Sequence, residues 1–249
     1  MDWSTTGLLF LAGAGAGLIG YSAGLASLFS YPALLATGLS PLFANVTNTV
    51  ALTCSALGGL ATAGPELRPQ RARVVRFALA GALGGIAGAV LLLSTPPGAF
   101  EQLVPWLVAL ASVALLARPW LRRLRFERLT EQHPGIFLLV AAIAVYGGYF
   151  GAAAGVLLLA TFGALLSDPY AMVNALKSVV LGAANIAASV VFVVASDVSW
   201  SSVLPLAAGC LVGSAVSPPI VRRLPETPVR VAVGLAGLAL AATLYQRQL

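Results

Sequence analysis

From Asp168 to Asp197 the chain carries a single charged residue, Lys177, which is also its only lysine. An apolar run of that length suits a bilayer, whose hydrocarbon core is crossed by about 20 mostly apolar helical residues. Comparable runs lie near residues 7–37, 42–63, 74–93, 101–117, 135–166, 170–195, 201–219 and 228–245. Between them stand helix breakers such as Ser40-Pro41, Pro96-Pro97-Gly98 and Asp168-Pro169. Hydrophobic residues form 59% of the chain and charged residues 9%, against about 25% charged in a soluble domain. The fold class is therefore an all-α polytopic membrane protein of about eight segments, with the lipid bilayer as its surroundings.

The net charge of +6 comes mainly from arginines in short connecting stretches. Arg68, Arg71, Arg73 and Arg76 follow the second segment, Arg118, Arg122, Arg123, Arg125 and Arg128 lie between the fourth and fifth, and Arg222, Arg223 and Arg230 precede the last. Such loops stay cytoplasmic, so these arginines read as topology signals, and no nucleic-acid partner is expected. Asp2 and the lack of a basic residue before the first apolar run argue against a cleaved signal peptide. Cys54 and Cys210 lie far apart in apolar segments and read as small packing residues.

The second half echoes the first. "GLIGYSAG" from Gly17 matches "GYFGAAAG" from Gly148, "NVTNTVAL" from Asn45 matches "NALKSVVL" from Asn174, and "GALGG" from Gly81 matches "GCLVG" from Gly209. The matches keep their order at a nearly constant offset. They divide one membrane domain into a repeat over residues 1–117, a basic cytoplasmic linker over 118–134 and a second repeat over 135–249. Equivalent loops differ in charge: the loop after the second segment is basic, whereas its counterpart "ASDVSWSS" has no positive charge. Equivalent loops on opposite sides mean inverted repeats. Four full crossings per repeat do not invert the second copy, so one segment in each must enter and leave on the same side. The long, glycine-rich first and fifth segments are the candidates, turning near Gly20–Gly24 and Gly151–Gly155. The alternative is two long tilted helices that use glycine for packing.

Lys177 lies nine residues past Asp168, about 13 Å along a helix and near the middle of the hydrocarbon core. A charge at that depth usually faces the protein interior or a wet cavity. Asn174, Lys177, Leu181 and Asn185 share a helix face, as do Asn45, Asn48, Thr49 and Leu52 in the matching segment. Asn48 then stands where the other half has Lys177, and Thr49 where it has Ser178. No Asp or Glu occupies a segment core, so an anionic substrate is the natural counterpart of the ammonium. The candidate binding set is Lys177, Asn174, Ser178, Asn45, Asn48 and Thr49, with Tyr21 and Tyr149 as further hydroxyls and Gly20, Gly24, Gly151 and Gly155 as the turns that bring helix N-termini close. Competing readings place Lys177 at an interface by snorkelling, the amides and hydroxyls as interhelical glue, and the tyrosines in aromatic packing. Neither H-E-x-x-H nor G-x-S-x-G occurs, and the single histidine, His133, lies outside the segments. No catalytic, metal or cofactor site is therefore expected.

"GYSAGLASLFSYPALLATGLSPLFANVTNTVAL", "VYGGYFGAAAGVLLLA", "VNALKSVVLGAANIAASVVFV" and "DVSW" resemble the TauE/SafE family of bacterial membrane proteins over almost the whole chain. The chain departs from it at Ser22-Ala23, where relatives tend to carry more glycine. The resemblance implies inverted repeats whose first and fifth segments turn back inside the cytoplasmic membrane. It also implies a secondary transporter exporting a small sulfur-containing anion such as sulfite, sulfoacetate or a related organosulfonate. An anion channel, or an importer of related anions such as thiosulfate, is the alternative; oligomeric state is left open.

Overall fold

The computed structural model describes residues 2–62, 67, 70–121, 133–221 and 226–246. Among them the chain is helical, without strands: α1 (Trp3–Ala23), α2 (Ala26–Ala36), α3 (Pro41–Thr62), α4 (Arg71–Ser94), α5 (Pro97–Leu116), the single turn α6 (Arg118–Leu121), α7 (Pro134–Tyr149), α8 (Ala154–Leu165), α9 (Tyr170–Ala195), α10 (Trp200–Val221) and α11 (Glu226–Gln246). The breakers start helices as their chemistry requires. Pro41, Pro97 and Pro134 open theirs, where a missing N–H costs nothing. His133 caps α7 by accepting from the Gly135 N–H through Nδ1 at 3.0 Å. The expected basic linker falls mostly on residues 122–132, outside the described residues.

Five stretches are long and apolar enough to cross a membrane: Trp3–Gly20, Arg71–Ser94, Pro97–Leu116, Tyr170–Ala195 and Trp200–Ser217. Shorter apolar helices include Ala26–Ala36, Pro134–Tyr149 and Ala154–Leu165. The two long glycine-rich segments are therefore each broken. The first breaks at Gly24, which is left-handed at φ 73°, and the fifth between Phe150 and Ala153, with Gly151 at φ 78° and Ala153 at φ 62°. Both chains then double back. Ala26 returns against Gly20 and Phe29 against Gly15, so α2 runs antiparallel to α1. In the second hairpin the Tyr146 hydroxyl donates to the Ala152 carbonyl at 2.7 Å and steadies the turn.

The helices pair by backbone approach. On α4, Phe77, Ala80, Gly81, Gly84, Gly85 and Gly88 face inward, while Leu79, Leu83, Ile86 and Val90 are exposed at spacings of four, three and four. Small residues inward and large ones outward is the pattern of a helix in lipid, where close packing replaces the hydrophobic effect between helices. A Cβ on Gly81 or Gly85 would overlap the α9 backbone at Val180 or Ala184, and one on Gly84 or Gly88 the α7 backbone at Ala141 or Val145. In the other half, Gly209 and Gly213 of α10 meet Phe10 and Ala14 of α1 in the same manner. Contact positions rise together along α1 and α10, and along α4, α7 and α9, so each group is parallel. Matching α1 with α7, α3 with α9 and α4 with α10 exchanges the α1–α10 contact with the α7–α4 contact, and α9–α4 with α3–α10.

Replacing Gly88 by valine forces a methine into the Val145 carbonyl and within 2.7 Å of the Tyr149 nitrogen. Overpacking of this kind costs about 1–3 kcal/mol or more. Thermal unfolding in detergent should show a clear fall in Tm for Gly88→Val and none for Gly98→Ala, whose added Cβ meets nothing within 4 Å.

Candidate functional site

The two broken hairpins touch at their turns. Gly24 sits on Gly155 so closely that a Cβ on Gly24 would lie 2.5 Å from the Gly155 Cα. Beside this contact, walled by α3 and α9, lies a cavity of about 70 Å³ with polar groups in its wall. That is room for a few waters or one small oxyanion. Its walls come in matched pairs from the two halves: Thr49 with Ser178, Leu52 with Leu181, Ala56 with Asn185, and Gly20 with Gly151. The cavity straddles the relation that exchanges the halves. Lys177, Ser27 and Ser55 add polar groups to it, and Gly24, Ala26 and Gly147 complete the turn side.

Lys177 is 1% exposed, so it does not snorkel. Its Nζ donates to the Gly20 carbonyl at 3.3 Å. That carbonyl lies in the last turn of α1 and also accepts from the Gly24 N–H at 2.9 Å. A cation in the last turn of a helix opposes the negative end of its dipole. The other interrupted helix has a matching brace from the opposite half: Asn45 of α3 donates through Nδ2 to the Tyr149 carbonyl, the last residue of α7, at 2.8 Å. Each broken helix thus receives a hydrogen bond from a polar side chain of the other half of the chain.

The remaining candidates divide. Lys177, Ser178, Thr49, Gly20, Gly24 and Gly151 line the cavity. Thr49 donates to the Asn45 carbonyl and Ser178 to the Asn174 carbonyl, both at 3.0 Å, so either hydroxyl must swing off its own helix to donate to a ligand. Asn48, the counterpart of Lys177, is turned away. Its Oδ1 accepts from Ser30 Oγ at 2.5 Å and its Nδ2 donates to Ser27 Oγ at 3.3 Å, holding α2 in place. Asn45 and Asn174 are buried behind the wall, each with an Oδ1 lacking a hydrogen-bond partner among the described residues. Tyr149 is remote from the cavity, its hydroxyl near Thr95 Oγ1 at 3.4 Å and its ring against Phe100. Gly155 serves packing against Gly24. Tyr21 lies in α1, but its side chain is outside the described ones. Of the two half-helix N-termini expected to face the cavity, α2 does so through Ala26 and Ser27, whereas the lining residues include none of α8.

Ser27 and Ser55 line the cavity without having been singled out in the sequence. Ser55 stands three residues past Leu52 and seven past Asn48, on the face those residues share. Ser27 accepts from Asn48, and an accepting hydroxyl keeps its own proton to donate. Among the described residues no group of three His, Cys, Asp or Glu is placed to hold a metal.

A cavity with a buried lysine in its wall, set between two interrupted helices in a bundle whose outer faces are apolar, marks a multi-pass helical membrane protein. Residues 9–244 match the family model described as "Sulfite exporter TauE/SafE". The probable membrane transporter protein YfcA of Escherichia coli strain K12 is 25% identical over 246 residues, covering 96% of this chain and 88% of its own length. A probable membrane transporter protein of Haemophilus influenzae is 26% identical over 246 residues, covering 97% and 94%. No solved structure matches. The chain belongs to the TauE/SafE family, and it is a membrane transporter. With bacterial relatives and its apolar helices, it is a multi-pass protein of the bacterial inner membrane.

Proposed function

We propose that the protein is a secondary transporter that carries a small sulfur-containing anion, such as sulfite, sulfoacetate or a related organosulfonate, out of the cytoplasm, and that the Lys177 cavity is its substrate site. The observation that carries this reading is the placement of the chain's one lysine, fully buried, in the wall of a polar cavity between the halves. Its ammonium is the countercharge. Ser27, Thr49, Ser55, Ser178 and Asn185 supply hydroxyl and amide groups, and the start of α2 supplies backbone N–H groups. The description of the matching family supports sulfite-like anions as the substrate class.

The halves are inverted repeats over residues 1–117 and 135–249, and their hairpins α1–α2 and α7–α8 are re-entrant. The exchange of helix contacts between the halves and the antiparallel return of α2 support this. Alternating access then comes from rocking one repeat against the other about the Gly24–Gly155 contact. An inside-negative potential favours anion exit by about 2.3 kcal/mol per charge per 100 mV.

Two outcomes are expected. First, sulfite binds the purified protein, and Lys177→Ala weakens it at least tenfold, the loss of one charge-assisted hydrogen bond of about 1.5–3 kcal/mol; Lys177→Arg retains part of it. Titration calorimetry under anaerobic conditions checks this, and equal binding by Lys177→Ala reduces the lysine to a cap for α1. Second, with Cys54 and Cys210 replaced by alanine, single cysteines at Ser4 and Ser40 react with impermeant maleimide from the periplasmic side, and one at Ser167 reacts from the cytoplasmic side. Labelling of Ser4 and Ser40 from opposite sides removes the first re-entrant hairpin.

A further inference from the structure

A second cavity, of about 310 Å³, lies between Arg118 at the start of α6, the length of α8, Asp168 and the first turn of α9. Arg118, Asp168 and Tyr170 give it polar walls, and Val156, Gly163 and Val173 apolar ones. Arg118 is 5% exposed, an unusual burial for a guanidinium, and its Nη2 donates to the Tyr170 hydroxyl at 3.4 Å. Asp168 is held from behind by Arg73, whose Nη1 donates to Oδ1 at 3.0 Å and whose Nη2 meets Oδ2. These described side chains bring two positive charges and one negative to the cavity and its wall. The Asp168 carboxylate is engaged by Arg73, and the Arg118 guanidinium stands in the wall beside it.

The cavity is also a neighbour of the first. Val173 precedes Lys177 by one turn of α9. Val156 follows Gly155, and a Cβ on Gly24 would come within 3.0 Å of the Val156 nitrogen. Gly24 lines the Lys177 cavity and Val156 the Arg118 cavity, so the Gly24–Gly155 contact stands between the two.

We propose that the Arg118 cavity is a second, weaker anion site, an antechamber on the cytoplasmic side that takes small oxyanions before the hairpin contact admits them to Lys177. Its binding rests on this cavity alone; its role as an antechamber rests on the transport reading above. A guanidinium presents paired N–H donors to two oxygens of an oxyanion, which suits a pocket where the ion pauses fully or partly dehydrated. The volume exceeds that of the inner cavity, as expected of a site that accepts the ion with part of its water.

Gly163 provides a test that leaves the buried guanidinium in place. It lines the cavity, and a Cβ there meets nothing within 4 Å, so Gly163→Phe introduces bulk at the cavity wall with no clash at its Cβ. Anaerobic sulfite titration of detergent-purified wild type should resolve two components. Lys177→Ala should keep only the weaker, and Gly163→Phe and Arg118→Gln should keep only the tighter. In proteoliposomes, the same two variants should raise the KM for sulfite efflux about fivefold or more. A single wild-type component that disappears in Lys177→Ala overturns the second site and leaves the transport reading intact. A weaker component that persists in folded Gly163→Phe overturns it as well. Two components that both survive in Lys177→Ala, with the weaker lost in Gly163→Phe, support the antechamber and remove Lys177 from the inner site. A wild type that binds no sulfite overturns both readings.

Discussion

Backbone-to-backbone contact at glycine is the constraint on which the rest of the structure depends. A helix interrupted at membrane depth exposes carbonyl and N–H groups that lipid does not satisfy. Those groups must be buried against other protein, and ordinary side chains would hold the neighbouring backbones too far apart. Gly81, Gly84, Gly85 and Gly88 let α4 touch both α7 and α9, and Gly209 and Gly213 do the same for α10 against α1. At the centre Gly24 and Gly155 bring the two turns together. A Cβ at most of these positions would displace a helix and, with it, the cavity wall.

That contact also determines which polar groups are needed. At the interruptions, carbonyls in the last turns of α1 and α7 are met by side chains from the opposite half: Lys177 adds a second donor to Gly20, and Asn45 donates to Tyr149. A cation is a costly choice of cap in such a place, because a buried charge is strongly penalised. The amide at Asn45 performs the same structural task without that cost. On the proposed function, a bound anion beside Lys177 gives that charge a second use in the cavity.

Much of the architecture was legible because it follows from periodicity and composition. The apolar runs, the proline starts at Pro41 and Pro97, and the interruptions near Gly24 and Gly151 appear at the expected places. The short match "GALGG" with "GCLVG" corresponds to glycines that do equivalent work in α4 and α10. The site was legible only in part. Spacing puts Asn48 on the face of Thr49, but two serines on α2 capture its amide and turn it from the cavity. Which face of α2 meets α3 depends on the angle at Gly24, and local sequence carries no signal for that angle; Ser27 went unnoticed for that reason. Spacing likewise sets Asn45 among the candidate ligands, since nothing in the sequence says that α7 ends with its last carbonyl beside it.

The direct test of the central claim, an anion held at Lys177 between the two hairpins, is an anomalous-scattering map of crystals grown with selenite, the heavier analogue of sulfite. The account predicts a selenium peak within about 4 Å of Lys177 Nζ, consistent with an oxygen at hydrogen-bond distance, bordered by Ser27, Thr49 and Ser178. A selenium peak elsewhere, with no peak in the Lys177 cavity, would contradict it and leave the lysine as a brace for α1.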